Sequence, residues 1–259
     1  MKICSVVFSL IAVIASSAAH AAPSFEGRRV TVPTRGDQSV DVWVEASKAK
    51  SPQWVVVLYS GGEGVLGVKD AGPTSRGNFV IRSAHHWLNY GYGVVMVDAP
   101  SDHQGGISFA FRMTDTAFKD IQAVVQAARQ QFPGSKVAVI GTSAGTLTVG
   151  NALARDSGVA DAFILTSSVT AHGQNGNPVI GDLETKSRSP VLVVSNKDDR
   201  CPLTPAYSSK KWAEKNKADY IEVEANNSRG QQCGPFSPHG FLGIEPQVLG
   251  DMHAWLANH

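Results

Sequence analysis

The chain has 259 residues, of which 42% are hydrophobic and 17% are charged. This composition is typical of a folded globular protein and excludes a disordered, low-complexity or collagen-like chain. Its 23 Lys and Arg residues nearly balance 22 Asp and Glu residues, and it contains no basic run. We therefore expect no nucleic-acid partner, because the sequence carries no electrostatic footprint for one.

Residues 1–21 have the pattern of an export signal. Lys2 gives a positive start, an uncharged apolar run follows, and Ala19-His20-Ala21 forms a small-x-small cleavage site. The alternative is an uncleaved membrane anchor, but the apolar run is barely long enough to span a bilayer and is rich in Ala and Ser. We predict a signal peptide, a single domain over residues 22–259, a periplasmic or extracellular location and no stable membrane insertion after cleavage.

Cleavage removes Cys4 and leaves Cys201 and Cys233. In an oxidising compartment two cysteines most simply form one disulfide, and the alternative is two buried free thiols. Neither cysteine has a second ligand at the spacing of a zinc site, so we predict no metal.

The remaining chain alternates between predicted strands and helices. Arg29–Pro33 and Val40–Glu45 alternate apolar and polar residues, which predicts an antiparallel hairpin. Short runs rich in β-branched residues then predict parallel strands buried on both faces. These runs are Trp54–Tyr59, Gly93–Val97, Lys136–Ile140, Ala162–Leu165 and Pro190–Ser195.

Helical patterns lie between these strands. Asp115 is positioned to cap a helix with apolar residues at spacings of three and four, and Pro133-Gly134 ends it. Thr204-Pro205 starts a second helix, and a third closes the chain. The alternation predicts an α/β protein with a doubly wound, mostly parallel sheet of about eight strands and helices on both faces. Ligands bind such sheets at the carboxyl ends of the strands.

One of these strand ends carries a nucleophile motif. Gly141-Thr142-Ser143-Ala144-Gly145 is a G-x-S-x-G sequence between a β-branched run and a helix of small residues. Glycine suits both flanks because the backbone of the nucleophile is strained and the strand and helix approach closely. The alternative is a plain tight turn with a surface serine.

A catalytic serine needs a base, and the base needs an orienting acid. His239 lies on a loop after the strand predicted at Tyr220–Val223, whereas most other histidines lie in helices. His103 and His172, which are in other loops, remain alternatives. The exit loop of the strand that ends at Ser195 carries two candidate acids, and these are Asp198 and Asp199.

The order Ser143, aspartate, His239 resembles that of an α/β-hydrolase, and the resemblance covers the whole mature chain. It is greatest to small lidless esterases of the dienelactone-hydrolase and acyl-peptidase branches. In that family the acid follows a turn glycine by three residues. Asn196 occupies the glycine position here, which selects Asp199 over Asp198, and asparagine tolerates the left-handed conformation that glycine would provide.

The resemblance also implies an oxyanion hole. Ala144 supplies one backbone N–H, and the loop from Ser60 to Gly64 resembles an H-G-G-x oxyanion loop with serine in place of histidine. Gly62 is the first choice for the second donor and Glu63 is the second choice. The loop alternatives are a flexible turn or a phosphate cradle, but no Gly-Lys-Ser/Thr and no G-x-G-x-x-G spacing is present.

A bridge between Cys201 and Cys233 would then join the loops of Asp199 and His239. We expect an exported serine hydrolase that cleaves a carboxylic ester, of a small molecule or a polymer end, through Ser143 and an acyl-enzyme intermediate, with no cofactor. The alternatives are an amidase or peptidase with the same triad, or a non-catalytic binding protein on a hydrolase scaffold.

The signal-peptide prediction has a direct test. Expression of the full chain in an export-competent bacterial host should release a protein that begins at Ala22, because cleavage follows the small-x-small site. Intact mass and N-terminal sequencing measure this. A chain that retains residues 1–21 and sediments with membranes would contradict the prediction.

Overall fold

The computed structural model describes residues 26–48 and 51–259, so the predicted signal peptide lies outside the described residues. The strands are β1 (Arg28–Pro33), β2 (Ser39–Glu45), β3 (Trp54–Tyr59), β4 (Val68–Lys69), β5 (Gly72–Pro73), β6 (Gly93–Pro100), β7 (Lys136–Thr142), β8 (Ala162–Thr166), β9 (Val191–Asn196) and β10 (Asp219–Val223). The helices are α1 (Phe79–Arg82), α2 (Ala84–Asn89), α3 (Phe109–Arg112), α4 (Asp115–Gln131), α5 (Gly145–Asp156), α6 (Ala206–Asn216) and α7 (Glu245–Ala257).

Eight of these strands form one sheet in the order β1-β2-β6-β3-β7-β8-β9-β10. The β1–β2 and β2–β6 pairs are antiparallel, and every following pair is parallel. The predicted hairpin and the mostly parallel sheet of about eight strands are both confirmed. Strands β4 and β5 form a separate antiparallel pair.

Apolar residues cover both faces of the sheet, which explains why the central strands read as continuous hydrophobic runs. In β3, Val55 and Val57 belong to the core under α4, α5 and α6, whereas Val56 and Leu58 belong to the core under α1, α2 and α7. Successive side chains of a strand point to opposite faces, so one short run supplies two cores.

The order of strands reverses beside β3. From β3 the chain crosses to β6 on one side, returns to β7 on the other side, and continues through β8, β9 and β10. Such a reversal opens a crevice beyond the carboxyl ends of the adjacent strands. The loops after β3 and β7 therefore meet there.

Two local details differ from the sequence prediction. Thr114, rather than Asp115, caps α4, and its hydroxyl accepts a hydrogen bond from the Ala117 N–H at 3.1 Å. Threonine is a favourable N-cap, and Asp115 then lies in the first turn, where its charge complements the helix dipole. Strands β6 and β7 also continue past the apolar runs, because ladder pairing extends to Pro100 and Thr142.

Residues 167–190, between β8 and β9, contain a single 3₁₀ turn and no α-helix. The predicted absence of a large lid at this position is confirmed. Within residues 26–48 and 51–259, no helix combines the length and apolar character needed to cross a membrane.

Candidate active site

Ser143 lies at the sharp turn between β7 and α5. Its φ of 53° is in the left-handed region, which costs a non-glycine residue about 1–3 kcal/mol. Hydrogen bonds hold this conformation: the Ser143 N–H donates to the Thr166 carbonyl at 3.0 Å, and the Thr146 N–H donates to the Ser143 carbonyl at 2.8 Å. The turn therefore presents the serine side chain above the sheet edge.

The two glycines of the motif are required by close backbone contacts. A Cβ on Gly141 would lie 2.4 Å from the Gly145 carbonyl oxygen, and a Cβ on Gly145 would lie 2.3 Å from the Tyr59 carbonyl oxygen. Both distances are far inside van der Waals contact, so α5 can start over the end of β3 only if these positions lack side chains.

The glycine-rich loop after β3 packs directly against the nucleophile turn. A Cβ on Gly61 would lie 2.8 Å from Ser143 Cβ. Gly62 has a φ of 59°, and a turn closes through the Gly64 N–H and the Gly61 carbonyl at 3.2 Å. Within the described chain, no turn or cap hydrogen bond uses the N–H of Gly62, Glu63 or Ala144.

Arg112 stabilises this loop through a contact that the sequence did not predict. It is 2% exposed, and its guanidinium donates to the Gly62 carbonyl at 3.2 Å and to Thr148 Oγ1 at 3.0 Å. Among the described residues no carboxylate lies within ion-pair distance of it. Burial lowers the pKa of Arg112 to about 10, so it remains a cation at neutral pH. A buried positive charge thus lies beside the glycine-rich loop.

Asp199, in the loop after β9, and His239, in the 3₁₀ turn Pro238–Gly240 before α7, form a buried pair. His239 Nδ1 lies 3.0 Å from Asp199 Oδ2, and the two side chains are 4% and 2% exposed. Asp199 also accepts hydrogen bonds from the Cys201 N–H at 2.9 Å and from Thr204 Oγ1 at 2.8 Å. Asp198, by contrast, is partly exposed and lies 4.0 Å from Arg200.

The His239 turn is tied to three other elements by side chains. Ser167 Oγ, at the end of β8, donates to the His239 carbonyl at 2.7 Å. Asn196 Nδ2, at the end of β9, donates to the Pro238 carbonyl at 3.0 Å. Arg82 of α1 donates to the Gly240 carbonyl. These contacts fix the position of the imidazole.

The conformation of Asn196 differs from the expectation. Its backbone remains in β9, paired with Val223, and φ is not positive. Its fully buried side chain instead bridges the two loops, because Oδ1 accepts from the Asp198 N–H at 3.1 Å while Nδ2 binds the carbonyls of Ala225 and Pro238. Asparagine thus replaces the family's glycine as a cross-link between loops and not as a left-handed residue.

A cleft of about 310 Å³ brings these groups together. Its walls include Gly61, Gly62, Glu63, Ser143 and His239. The Nε2 atom of His239 is buried and has no hydrogen-bond partner among the described residues. The hydrogen bond between serine and histidine is often long before substrate binds, so this arrangement is compatible with the geometry of a nucleophile and its base.

The alternative histidines lie elsewhere. His103 Nδ1 is 2.8 Å from Asp102 Oδ1, and His172 Nδ1 is 2.8 Å from the Asn177 carbonyl. Neither residue lines the cleft that contains Ser143.

Cys201 and Cys233 form a disulfide bond, and their Cα atoms are 4.7 Å apart. The bridge joins the Asp199 loop to the segment that precedes His239. Because the Cys201 N–H donates a hydrogen bond to the Asp199 carboxylate, the bridge restrains a residue that contacts Asp199 directly.

The sequence profile of the family described as serine aminopeptidase S33 matches residues 72–218, more than half of the chain. The protein belongs to this family of serine hydrolases. The match includes Ser143 and Asp199, whereas His239 lies beyond it. No curated protein matches this member of the serine aminopeptidase S33 family in sequence.

Solved structures with the same fold include several hydrolases. A lidless α/β serine hydrolase from Xanthomonas campestris, XC6422, is 15% identical, with 89% of this chain and 97% of that chain covered and a TM-score of 0.61. The Pyrococcus furiosus esterase Pf2001 is 14% identical, with 90% and 91% covered and a TM-score of 0.65. For Porphyromonas gingivalis dipeptidyl peptidase 4 the values are 14% identity, 88% and 36% coverage and a TM-score of 0.58. The S33 family member described here therefore has the α/β-hydrolase fold.

The disulfide gives a testable prediction. Reduction should lower the free energy of unfolding by roughly 3–4 kcal/mol and the melting temperature by about 10 °C, since the bridge closes a loop of 32 positions. Calorimetry with and without a phosphine reductant measures this, and the double variant Cys201→Ser/Cys233→Ser should reproduce the reduced protein. Two alkylatable thiols in freshly purified exported protein would contradict the bridge.

Proposed function

We propose that the protein is an exported serine hydrolase that cleaves carboxylic esters through Ser143, His239 and Asp199. The observation that carries this proposal is the buried Asp199–His239 pair, whose free Nε2 shares one cleft with a serine held at positive φ. A binding protein has no need to bury such a pair at the cost of desolvating it.

In the proposed reaction Ser143 Oγ attacks the acyl carbon while His239 Nε2 takes the hydroxyl proton. Asp199 orients the imidazole and stabilises its positive charge. Collapse of the tetrahedral intermediate breaks the bond to the leaving group, which receives the proton from His239. Water then attacks the acyl-enzyme, again with His239 as base, and releases the acid and the free serine.

The N–H groups of Ala144 and Gly62 are the proposed oxyanion donors, with Glu63 as the second choice. All three lack a turn or cap partner in the described chain. The Arg112 cation beside this loop favours negative charge there, because the guanidinium is buried and a charge in a low-dielectric environment acts strongly on its neighbours. The glycine loop thus offers donors already oriented for the developing oxyanion.

An open, lidless cleft supports ester cleavage of a short acyl group or a polymer end. Two observations favour peptide or amide cleavage as the second candidate. The matching family is described as an aminopeptidase family, and Glu63 lines the cleft, so a carboxylate at this position can pair with a substrate ammonium group.

A substrate series separates these two candidates. The mature protein is assayed with p-nitrophenyl esters of increasing acyl length and with aminoacyl p-nitroanilides, with and without a free amino group. We expect kcat/KM to be highest for a short ester. A preference for free-amino anilides that is lost in Glu63→Gln would instead establish the aminopeptidase.

The proposed nucleophile and base can be tested by substitution. Ser143→Ala and His239→Ala should each lower kcat by roughly 10³-fold or more, because the members of a triad act as a unit. Steady-state kinetics measures the loss, and circular dichroism checks that both variants remain folded. A Ser143→Ala variant with more than about a tenth of wild-type kcat/KM would rule out this nucleophile.

The choice of Asp199 over Asp198 as the proposed acid can also be tested by substitution. Asp199→Asn should lower kcat on the order of 10³–10⁴-fold, since the amide cannot stabilise the imidazolium or hold its tautomer. Asp198→Asn is the matched control and should stay within about twofold of wild type, because its side chain is partly exposed and lies near Arg200, whereas the contact with His239 is made by Asp199. Equal losses in the two variants would contradict the assignment of Asp199 as the specific acid of the triad.

A further inference from the structure

Asn78 is a polar residue in the cleft to which the proposed mechanism gives no role. It precedes α1 and lines the same cleft as Ser143 and His239. The segment around it is held in place, since Arg82 donates to the carbonyls of both Gly77 and Gly240. The position of Asn78 relative to the His239 turn is therefore fixed by a shared guanidinium.

The two ends of the Asn78 amide have different surroundings. Its Oδ1 atom accepts a hydrogen bond from the Val80 N–H at 3.3 Å. Because oxygen and nitrogen leave the amide carbon in different directions, this contact turns Nδ2 away from the backbone of α1. Oδ1, and not Nδ2, faces the Val80 N–H, because an amide nitrogen cannot accept a hydrogen bond.

The Nδ2 atom lies beside the nucleophile turn. A methyl group on Gly61 would be 3.4 Å from Asn78 Nδ2 and 2.8 Å from Ser143 Cβ, so both groups pack against the same side of Gly61. Asn78 is half-buried, and within the described chain no acceptor is bonded to Nδ2. The amide nitrogen of a residue that lines the cleft therefore lies close to the turn that carries the serine.

We propose that Asn78 is a further donor to the substrate's reacting carbonyl oxygen and binds it most strongly as the oxyanion of the tetrahedral intermediate. This inference rests on the proposed serine-hydrolase function and deepens it. A side-chain amide can serve as such a donor, and removal of one donor typically costs about 10²–10³-fold in kcat. The amide adds a side-chain donor to the proposed backbone N–H donors of Ala144 and Gly62.

Two substitutions separate the donor from the helix cap. Asn78→Asp has nearly the same shape and keeps an oxygen for the Val80 N–H, but it loses both N–H donors and adds negative charge near the oxyanion. Asn78→Gly removes the side chain and every donor it carries without adding charge, and glycine is tolerated at an N-cap position. Asn89→Asp, on the exposed end of α2, is the control for the same chemical change outside the cleft.

With the ester that the wild type cleaves best, Asn78→Gly should lower kcat by about 10²-fold and Asn78→Asp by more, with KM changed less than about threefold. The rate constant for labelling by a fluorophosphonate should fall in parallel, because its phosphoryl oxygen occupies the oxyanion position. Asn89→Asp should match the wild type, and the melting temperature of Asn78→Asp should stay near that of the wild type.

Folded Asn78→Gly with kcat within about twofold of wild type, or with a change in KM alone, would overturn the proposal. That outcome differs from failure of the proposed function. In the latter case the wild type itself would show neither ester turnover nor labelling, or Ser143→Ala would keep its activity.

Discussion

The arrangement of the candidate site depends on keeping a carboxylate and an imidazole together in a place that excludes water. Asp199 and His239 are 40 residues apart, and both side chains are almost fully buried. Burial of such groups is costly unless each is paired and hydrogen-bonded. Here the Cys201 N–H and the Thr204 hydroxyl also donate hydrogen bonds to the Asp199 carboxylate. The disulfide at Cys201 therefore restrains the backbone N–H that stabilises the negative charge of Asp199.

The wall of the cleft around Ser143 is stabilised by different interactions. Ser143 is strained, and Gly141 and Gly145 permit backbone contacts that any side chain would prevent. The glycine-rich loop packs against this turn and is held from behind by the buried Arg112 cation. The wall around Ser143 thus depends on close backbone packing and a fixed charge. The wall that carries His239 depends instead on side chains that hydrogen-bond from one loop to another. Both walls meet where the strand order reverses.

These differences explain how far the sequence could predict the structure. Continuous β-branched runs predicted the strands because a doubly covered sheet requires them, and G-x-S-x-G predicted the turn because its glycines are needed locally. The contacts of Asn196 and Arg112, and the role proposed for Asn78, were not predicted. Each of these residues acts through contacts with residues distant in sequence, and no local spacing signals such contacts. Asn196 shows this most clearly: the motif suggested a left-handed turn, but tertiary hydrogen bonds kept the residue in the strand.

The most direct test of the account is chemical labelling of the folded, mature protein with a fluorophosphonate, followed by peptide mapping. The reagent reacts with a serine only where a base activates it and donors stabilise the phosphoryl oxygen. The account predicts a single adduct on Ser143 that is absent from His239→Ala. No adduct on the folded protein, or an adduct on another serine, would contradict it.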